Sequence, residues 1–235
     1  MKKLMTWAAA GCLLLMASCG DDEPQRIKYE SVDLGISVKW ATMNVGAQKP
    51  QDHGQLFGWA DSTGSHKTFD NINISYRDNG NGTETTLVNW NSVYFGGKNP
   101  PVDISGTAYD IAIYNWNANW RMPTQDEWQE LMNRCTWTVE TTADGATVYR
   151  VTGPNNNSII LPMTGIRSTS NNEDMRTSIG RYWTSALLPM NEQATQGYES
   201  SVPCAAWCVR FDANNRPTLS TAVRCYGMAV RPVAK

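Results

Sequence analysis

Residues 120–131 read WRMPTQDEWQEL, and this stretch decides the fold of the chain. Pro123 fixes its own φ angle and has no backbone N–H, so it suits the entrance to a helix. Thr124 is then the predicted N-cap, and Glu127, three residues later, has the spacing of a capping box. Trp128 and the apolar residues three and four positions after it share one helical face. The pattern predicts a short amphipathic helix that buries Trp128.

This helix is expected to be structural rather than catalytic. The stretch offers no nucleophile beside a base, which covalent catalysis needs. Asp126 and Glu127 are adjacent on the helix, and adjacent helical residues do not face each other. They therefore do not form an acid–base pair.

Five motifs, spread over most of the chain, resemble one known family when taken together. They are residues 32–47 (VDLGISVKWATMNVGA), 120–138 (WRMPTQDEWQELMNRCTWT), 151–167 (VTGPNNNSIILPMTGIR), 182–186 (YWTSA) and 226–233 (YGMAVRPV). In this order they resemble the Fibrobacter succinogenes major paralogous domain (FISUMP). That group is related to formylglycine-generating enzymes and has a C-type-lectin-like fold. A shared fold says little about activity.

The resemblance implies one lectin-like domain over residues 31–235. The residues alone predict a loop-rich α+β domain with antiparallel strands, because short alternating segments are separated by Gly, Pro and Asn. The resemblance and the residue pattern together predict one or two short helices and long loops. The predicted strands are residues 37–42, 55–60, 136–140, 146–152, 158–162, 181–186, 205–211, 219–225 and 228–232. A second short helix is expected within residues 109–115, and residues 61–106 form a polar excursion.

The N-terminal residues predict export and lipid anchoring. Residues 1–18 have the charged start and short apolar run of a signal peptide. They end in MASC, which resembles a bacterial lipobox, so Cys19 is the predicted lipidated residue. Residues 19–30 begin with an acidic run without apolar content and are expected to be a tether. The prediction is a lipid-anchored protein of the outer membrane or cell surface; a secretory peptide with a chance cysteine is the alternative.

Composition argues against nucleic acid as a partner. The formal net charge is −2 at pH 7, and no basic stripe occurs. Aromatic residues are biased towards the amphipathic types, with 10 Trp and 9 Tyr against 4 Phe. Such rings pack a core while keeping a polar edge.

The cysteines predict one disulfide. If Cys19 takes lipid, an exported domain keeps Cys135, Cys204, Cys208 and Cys225, and disulfides persist in such compartments. A turn near residues 214–215 would place Cys204 roughly opposite Cys225, so these two are the first candidates for a bridge. Cys135, at the end of the helix, is expected to be a buried thiol.

Neither a metal site nor a cofactor is predicted. His53 and His66 are the only histidines, and no CxxC motif occurs, so zinc lacks convincing ligands. Cys204 and Cys208 superficially resemble the cysteine pair of formylglycine-generating enzymes. Their surroundings lack the glycine-rich and arginine-rich context of that active site, so a related oxidoreductase activity is kept only as an alternative.

The main functional prediction is a binding module for a protein or glycan ligand. In lectin-like folds, the loops before the last strands form the ligand face, and here these are residues 168–180, 187–203 and 212–220. Their hydrogen-bonding residues are Asn171, Asn172, Asn191, Tyr198, Asn214, Asn215 and Arg216. Tyr198 and Arg216 are the strongest candidates, because Tyr and Arg are enriched in interface hot spots. Plain solvated loops, or a structural component of a surface assembly, are the competing interpretations.

Overall fold

The computed structural model describes residues 29–64, 95–96, 98–167, 179–198 and 203–234. Its strands are β1 (Ser31–Asp33), β2 (Lys39–Ala41), β3 (Trp120–Arg121), β4 (Thr136–Thr141), β5 (Thr147–Thr152), β6 (Ser158–Pro162), β7 (Ile179–Leu187), β8 (Ala205–Asp212), β9 (Thr218–Val223) and β10 (Val233–Ala234). Its helices are α1 (Ile111–Asn115), α2 (Gln125–Arg134) and α3 (Met190–Gln193), and α3 runs into a 3-10 turn, Ala194–Gln196.

Antiparallel pairing dominates the architecture. The strands form three sheets with the orders β1-β2-β10-β3, β4-β5-β6 and β7-β8-β9. Every ladder within these sheets is antiparallel. The predicted α+β class, with antiparallel strands and few short helices, is confirmed at this level.

Helix α2 begins as its sequence predicts. The Thr124 hydroxyl accepts from the Glu127 N–H at 3.2 Å, and a Glu127 carboxylate oxygen accepts from the Thr124 N–H at 2.8 Å. This is the reciprocal capping box. The same carboxylate also binds the guanidinium of Arg121 on β3, with one contact of 2.8 Å. The ion pair thus ties the helix start to the strand that enters it.

The buried face of α2 lies over one of two main core clusters. Trp128 is fully buried and packs with Trp40 and Tyr182. Phe211 of β8 stacks on Tyr182, with ring centroids 5.6 Å apart. The predicted burial of Trp128 is confirmed. The second cluster lies around Trp59, beneath β7, β8 and β9.

A buried arginine links the first sheet to the second. Arg231 donates from Nε to Asn44 Oδ1 at 2.8 Å, from Nη1 to the Ala41 carbonyl at 2.9 Å, and from Nη2 to the Ile160 carbonyl at 2.8 Å. Burial lowers the pKa of its guanidinium to about 10. Because Ala41 belongs to β2 and Ile160 to β6, this side chain helps to hold the two sheets together.

Asp110 has a similar role at helix α1. One carboxylate oxygen caps the helix by accepting from the Ala112 N–H at 2.9 Å, and the other accepts from the Met122 N–H at 2.9 Å. Burial raises the pKa of this carboxyl, against the opposing effect of its backbone hydrogen bonds. The predicted short helix is therefore confirmed, and its cap is joined to the stretch that leads into α2.

Other predicted elements agree with the structure in part. The hairpin of β4 and β5 turns at Asp144 and Gly145 as expected, and Gly145 has a φ of 86°. Residues 55–60 and 228–232 are not regular strands. Phe57 and Met228 instead form an isolated bridge, and the last strand comes later, at β10. Residues 187–203, expected to be a loop, contain helix α3.

The N-terminal predictions lie largely outside the described residues. The signal peptide and residues 19–28 of the tether belong to that part, as do residues 65–94 of the polar excursion. Among the residues that the structure describes, no helix combines the length and apolar character needed to cross a membrane.

Candidate functional site

A groove with a volume of about 320 Å³ lies between helix α2 and the hairpin of β8 and β9. We name it the α2–β9 groove. Its lining residues are Gln129, Met132 and Asn133 of α2, Trp137 of β4, Arg216 and Pro217 of the β8–β9 connection, and Thr218 and Leu219 of β9. The groove thus forms where the outer part of the fold-determining helix meets a hairpin that is distant in sequence.

Two amide side chains stand on the helical wall of the groove. Gln129 and Asn133 are one turn apart on α2 and exposed, and Gln129 Nε2 donates to Asn133 Oδ1 at 3.2 Å. Each amide carries both donors and an acceptor, so groups remain for a ligand. Met132, half-buried, gives the same wall an apolar side chain.

Trp137 contributes a fixed aromatic ring. Its indole N–H donates to the Leu131 carbonyl at 3.2 Å. The ring also makes T-shaped contacts with Tyr149 and Phe211, with centroid distances of 5.5 and 5.8 Å. Because the N–H is engaged and the ring packs on the core, Trp137 offers the groove an apolar surface in a defined position.

The hairpin turn is built by Asp212. Its carboxylate accepts from the backbone N–H groups of Asn214 and Asn215, each at 2.9 Å, and from the Asn215 side-chain amide. The Asn215 amide and these backbone donors hold the pKa of the Asp212 carboxyl below its usual range. Tyr149 Oη adds a hydrogen bond of 3.0 Å to the Asp212 carbonyl. Asn215 is therefore occupied in shaping the turn.

Arg216 follows this turn at the rim of the groove. Its side chain is exposed. Among the ion pairs that join described residues, none includes Arg216. The groove lining itself contains no Asp or Glu. The predicted site residue Arg216 is thus a cation beside a groove that holds no compensating carboxylate.

Tyr198, the other strong candidate, lies elsewhere. Its hydroxyl donates to Thr221 Oγ1 at 3.1 Å, and its half-buried ring packs on the second core cluster. Thr221 is three strand positions beyond Thr218, which is about 10 Å, and Arg216 lies on the far side of Thr218. Tyr198 is therefore at the other end of β9 from the groove and does not line it.

The other predicted site residues that the structure describes do not line the groove either. Asn191 is exposed on helix α3, away from the groove lining, and Asn214 is exposed at the tip of the turn. Asn171 and Asn172 lie in residues 168–178, outside the described part of the chain.

The sequence did not predict Gln129, Asn133 and Trp137 as site residues. The i, i+4 pair of amides on the outer helical face was the available sign of the first two.

The cysteines occupy buried positions. Cys135, Cys204, Cys208 and Cys225 are all buried in the structure, which confirms the buried thiol expected at Cys135. The Arg224 N–H donates to the Cys204 carbonyl at 2.9 Å, so Arg224 lies opposite Cys204 and Cys225 follows one residue later. The Cys204–Cys225 bridge stays a prediction.

Cys204 and Cys208 are not arranged as a reactive pair. Four positions of extended chain separate them by about 13 Å, whereas the Cα atoms of a disulfide lie within about 7 Å. Burial raises the pKa of the Cys208 thiol, and Arg181 Nη1 contacts its sulfur at 3.6 Å. A thiol in such a site carries little of the thiolate that reacts as a nucleophile.

The described ranges contain His, Cys, Asp and Glu, the side chains that commonly hold metal ions. No group of three or more His, Cys, Asp and Glu side chains comes together there in a way that could hold an ion. The α2–β9 groove is likewise lined without any of these residues. The chemistry that the groove offers is hydrogen bonding, apolar contact and one positive charge.

Comparison of the chain with protein families, with curated proteins and with solved structures finds no match. The groove and the sequence motifs are therefore the support for a function.

Proposed function

We propose that this protein is a surface lipoprotein whose domain is a non-catalytic binding module for a protein or glycan ligand. The α2–β9 groove carries this proposal. It combines a fixed aromatic ring, two exposed amides and an arginine in one concave site, and small-ligand sites typically pair an apolar lining with a few polar groups that set orientation. The groups that the groove offers suit recognition, and none of them is a nucleophile paired with a base.

Anchoring through a lipid at Cys19 is part of the proposal. The support is the sequence MASC after a short apolar run, followed by an acidic run without apolar residues. A tether of this kind would hold the domain close to the outer membrane or cell surface. The ligand would then be a molecule met at that surface.

A C-type-lectin-like fold of the FISUMP type belongs to the same proposal. Its support is the order of the five motifs, together with the antiparallel α+β architecture. Arg121, Thr124 and Glu127, within the most distinctive motif, hold the helix start together. The motif therefore has a structural explanation that does not depend on any activity.

The groove can be tested directly with an array of glycans and proteins probed with the full chain. Replacing both Gln129 and Asn133 by Ala should reduce the affinity for any ligand found by tenfold or more, because each lost hydrogen bond contributes about 0.5–1.5 kcal/mol. Gln125→Ala is the matched control, because Gln125 lies on the same helix but not in the groove lining. If the double variant is folded and binds like the parent, the groove is not the ligand site.

A related oxidoreductase is the alternative of a different class. Its test is thiol-dependent oxygen consumption by the full chain, compared with Cys204→Ser and Cys208→Ser variants. Oxygen consumption that depends on both cysteines would contradict the non-catalytic proposal and support the oxidoreductase.

A further inference from the structure

We infer that the α2–β9 groove takes an acidic glycan, with Arg216 binding a sugar carboxylate. This inference rests on the proposed binding function and specifies the chemical class of the ligand. Three features carry it: the charge balance of the groove, the geometry of the cation, and the size of the site.

The charge balance points to an anion. Arg216 is exposed at the rim and joins no ion pair among the described residues, while the lining has no carboxylate. Asp212 is the acid nearest in sequence, four residues before Arg216. Its carboxylate already accepts four hydrogen bonds from Asn214 and Asn215. A ligand anion would therefore meet a guanidinium that has no competing partner in the groove.

Arginine also suits a carboxylate by shape. The planar guanidinium presents paired N–H donors that match the two oxygens of a carboxylate, and such charge-assisted bonds are stronger than neutral ones. The position of Arg216 is defined by the turn that precedes it. The Asp212 carboxylate caps that turn, and the Tyr149 hydroxyl, from a neighbouring sheet, donates a hydrogen bond to the Asp212 carbonyl.

The size and remaining chemistry of the groove suit a sugar. A volume of about 320 Å³ is at the small end of the range for small-molecule sites. The amides of Gln129 and Asn133 can pair with hydroxyl groups, both as donors and as acceptors. Trp137 and Met132 supply apolar contact for the less polar face of a ring.

The experiment compares two probes with the full chain in detergent by calorimetry. The acidic probe is a galacturonic acid oligomer, and the neutral probe is a galactose oligomer of the same length. We expect the acidic probe to bind more tightly, and Arg216→Gln to reduce its affinity about tenfold or more. Arg216→Lys should give an intermediate loss, because a lysine keeps the charge but not the paired donors.

Arg134→Gln is the matched control. It removes the same charge from the same region of the molecule, but Arg134 pairs with Glu130 and does not line the groove. The affinity of the acidic probe should be unchanged in this variant. An equal loss in both variants would mean nonspecific attraction of a polyanion and would overturn the inference.

The other outcomes separate the inference from the proposed function. If both probes bind equally and Arg216→Gln changes neither, the inference fails while a glycan-binding function stands. If an acidic peptide of matched charge binds in an Arg216-dependent way and the sugar does not, the inference fails in favour of a protein ligand. If no array ligand and no probe binds the folded chain, both the inference and the proposed function fail.

Discussion

The indole rings of Trp128 and Trp40 pack edge to face, with their centroids 4.8 Å apart and their planes at 65°. Trp128 belongs to α2 and Trp40 to β2, so this contact joins the helix to the first sheet. Both side chains are fully buried. Edge-to-face pairs add to the stabilisation that burial alone provides.

Trp128→Ala should therefore destabilise the domain strongly. Removing a buried tryptophan typically costs about 3–5 kcal/mol, which is a large part of the stability of a domain. Urea denaturation followed by circular dichroism measures the change. Val139→Ala, at a partly exposed position on β4, is the control and should stay within about 0.5 kcal/mol. A Trp128→Ala chain as stable as the parent would contradict the packing.

The Arg121–Glu127 pair predicts a pH dependence of stability. Burial raises the pKa of the Glu127 carboxyl, but hydrogen bonds from Arg121 and from the Thr124 N–H outweigh this effect and leave the pKa below its usual value of 4.5. A lowered pKa in the folded state stabilises the protein above the unfolded value, and that contribution is lost as the pH falls through the folded pKa. Stability should thus decline below about pH 4.5.

Glu127→Gln isolates this contribution from that of other carboxylates. The variant should be less stable than the parent at pH 7, and the difference should shrink as the pH falls from 5 towards 2. Parallel denaturation curves across this range give the difference directly. A constant difference would show that Glu127 does not titrate with a lowered pKa.

Cys208 should be inert in the native protein. Burial raises the pKa of its thiol, and alkylation requires both the thiolate and access. Iodoacetamide at pH 8 should leave Cys208 unmodified until guanidinium unfolds the chain, as read by peptide mass mapping. Burial also raises the pKa of the Cys225 thiol, to about 12, so Cys225 should be unreactive in the same way. Rapid labelling of Cys208 in the native protein would instead indicate an open site.

The same peptide maps also test the predicted disulfide. When they are made without reductant from exported protein, they would reveal a Cys204–Cys225 bridge.

Cys19→Ser tests the proposed anchor. The variant should lose labelled palmitate and leave the membrane fraction, or accumulate with its signal peptide uncleaved. Cys135→Ser, which removes a buried thiol of the domain, is the control and should keep the label. Membrane association and labelling that survive in Cys19→Ser would contradict lipidation at this residue.

Local chemistry explains which parts of the fold could be predicted. Thr124 and Glu127 carry a complete capping box within four residues, and Asp144 with Gly145 encodes a hairpin turn. Both depend only on neighbours in sequence. By contrast, the apolar residues around Phe57 and Met228 in the sequence predict two strands. In the structure these two residues form only an isolated bridge with each other. Their pairing depends on distant segments, which periodicity does not encode.

The site was predictable only in part for the same reason. Arg216 follows a recognisable turn, so its exposure could be expected. Its neighbours Gln129 and Asn133 come from a helix far away in the sequence, and only the folded chain brings them beside it. Tyr198 is predicted to share the ligand face with Arg216, because both lie in loops before the last strands. Its hydrogen bond to Thr221 instead commits it to the other end of β9.

The phenol of Tyr149 has a consequence for the energetics of recognition. Its hydroxyl bonds the Asp212 carbonyl at 3.0 Å and approaches the Asn215 carbonyl at 3.4 Å, so β5 holds the turn before Arg216 from outside the hairpin. A loop that is already ordered loses little conformational entropy when a ligand arrives. The backbone at the rim is thus pre-organised, and most of the ordering cost of binding falls on the Arg216 side chain and on the ligand itself.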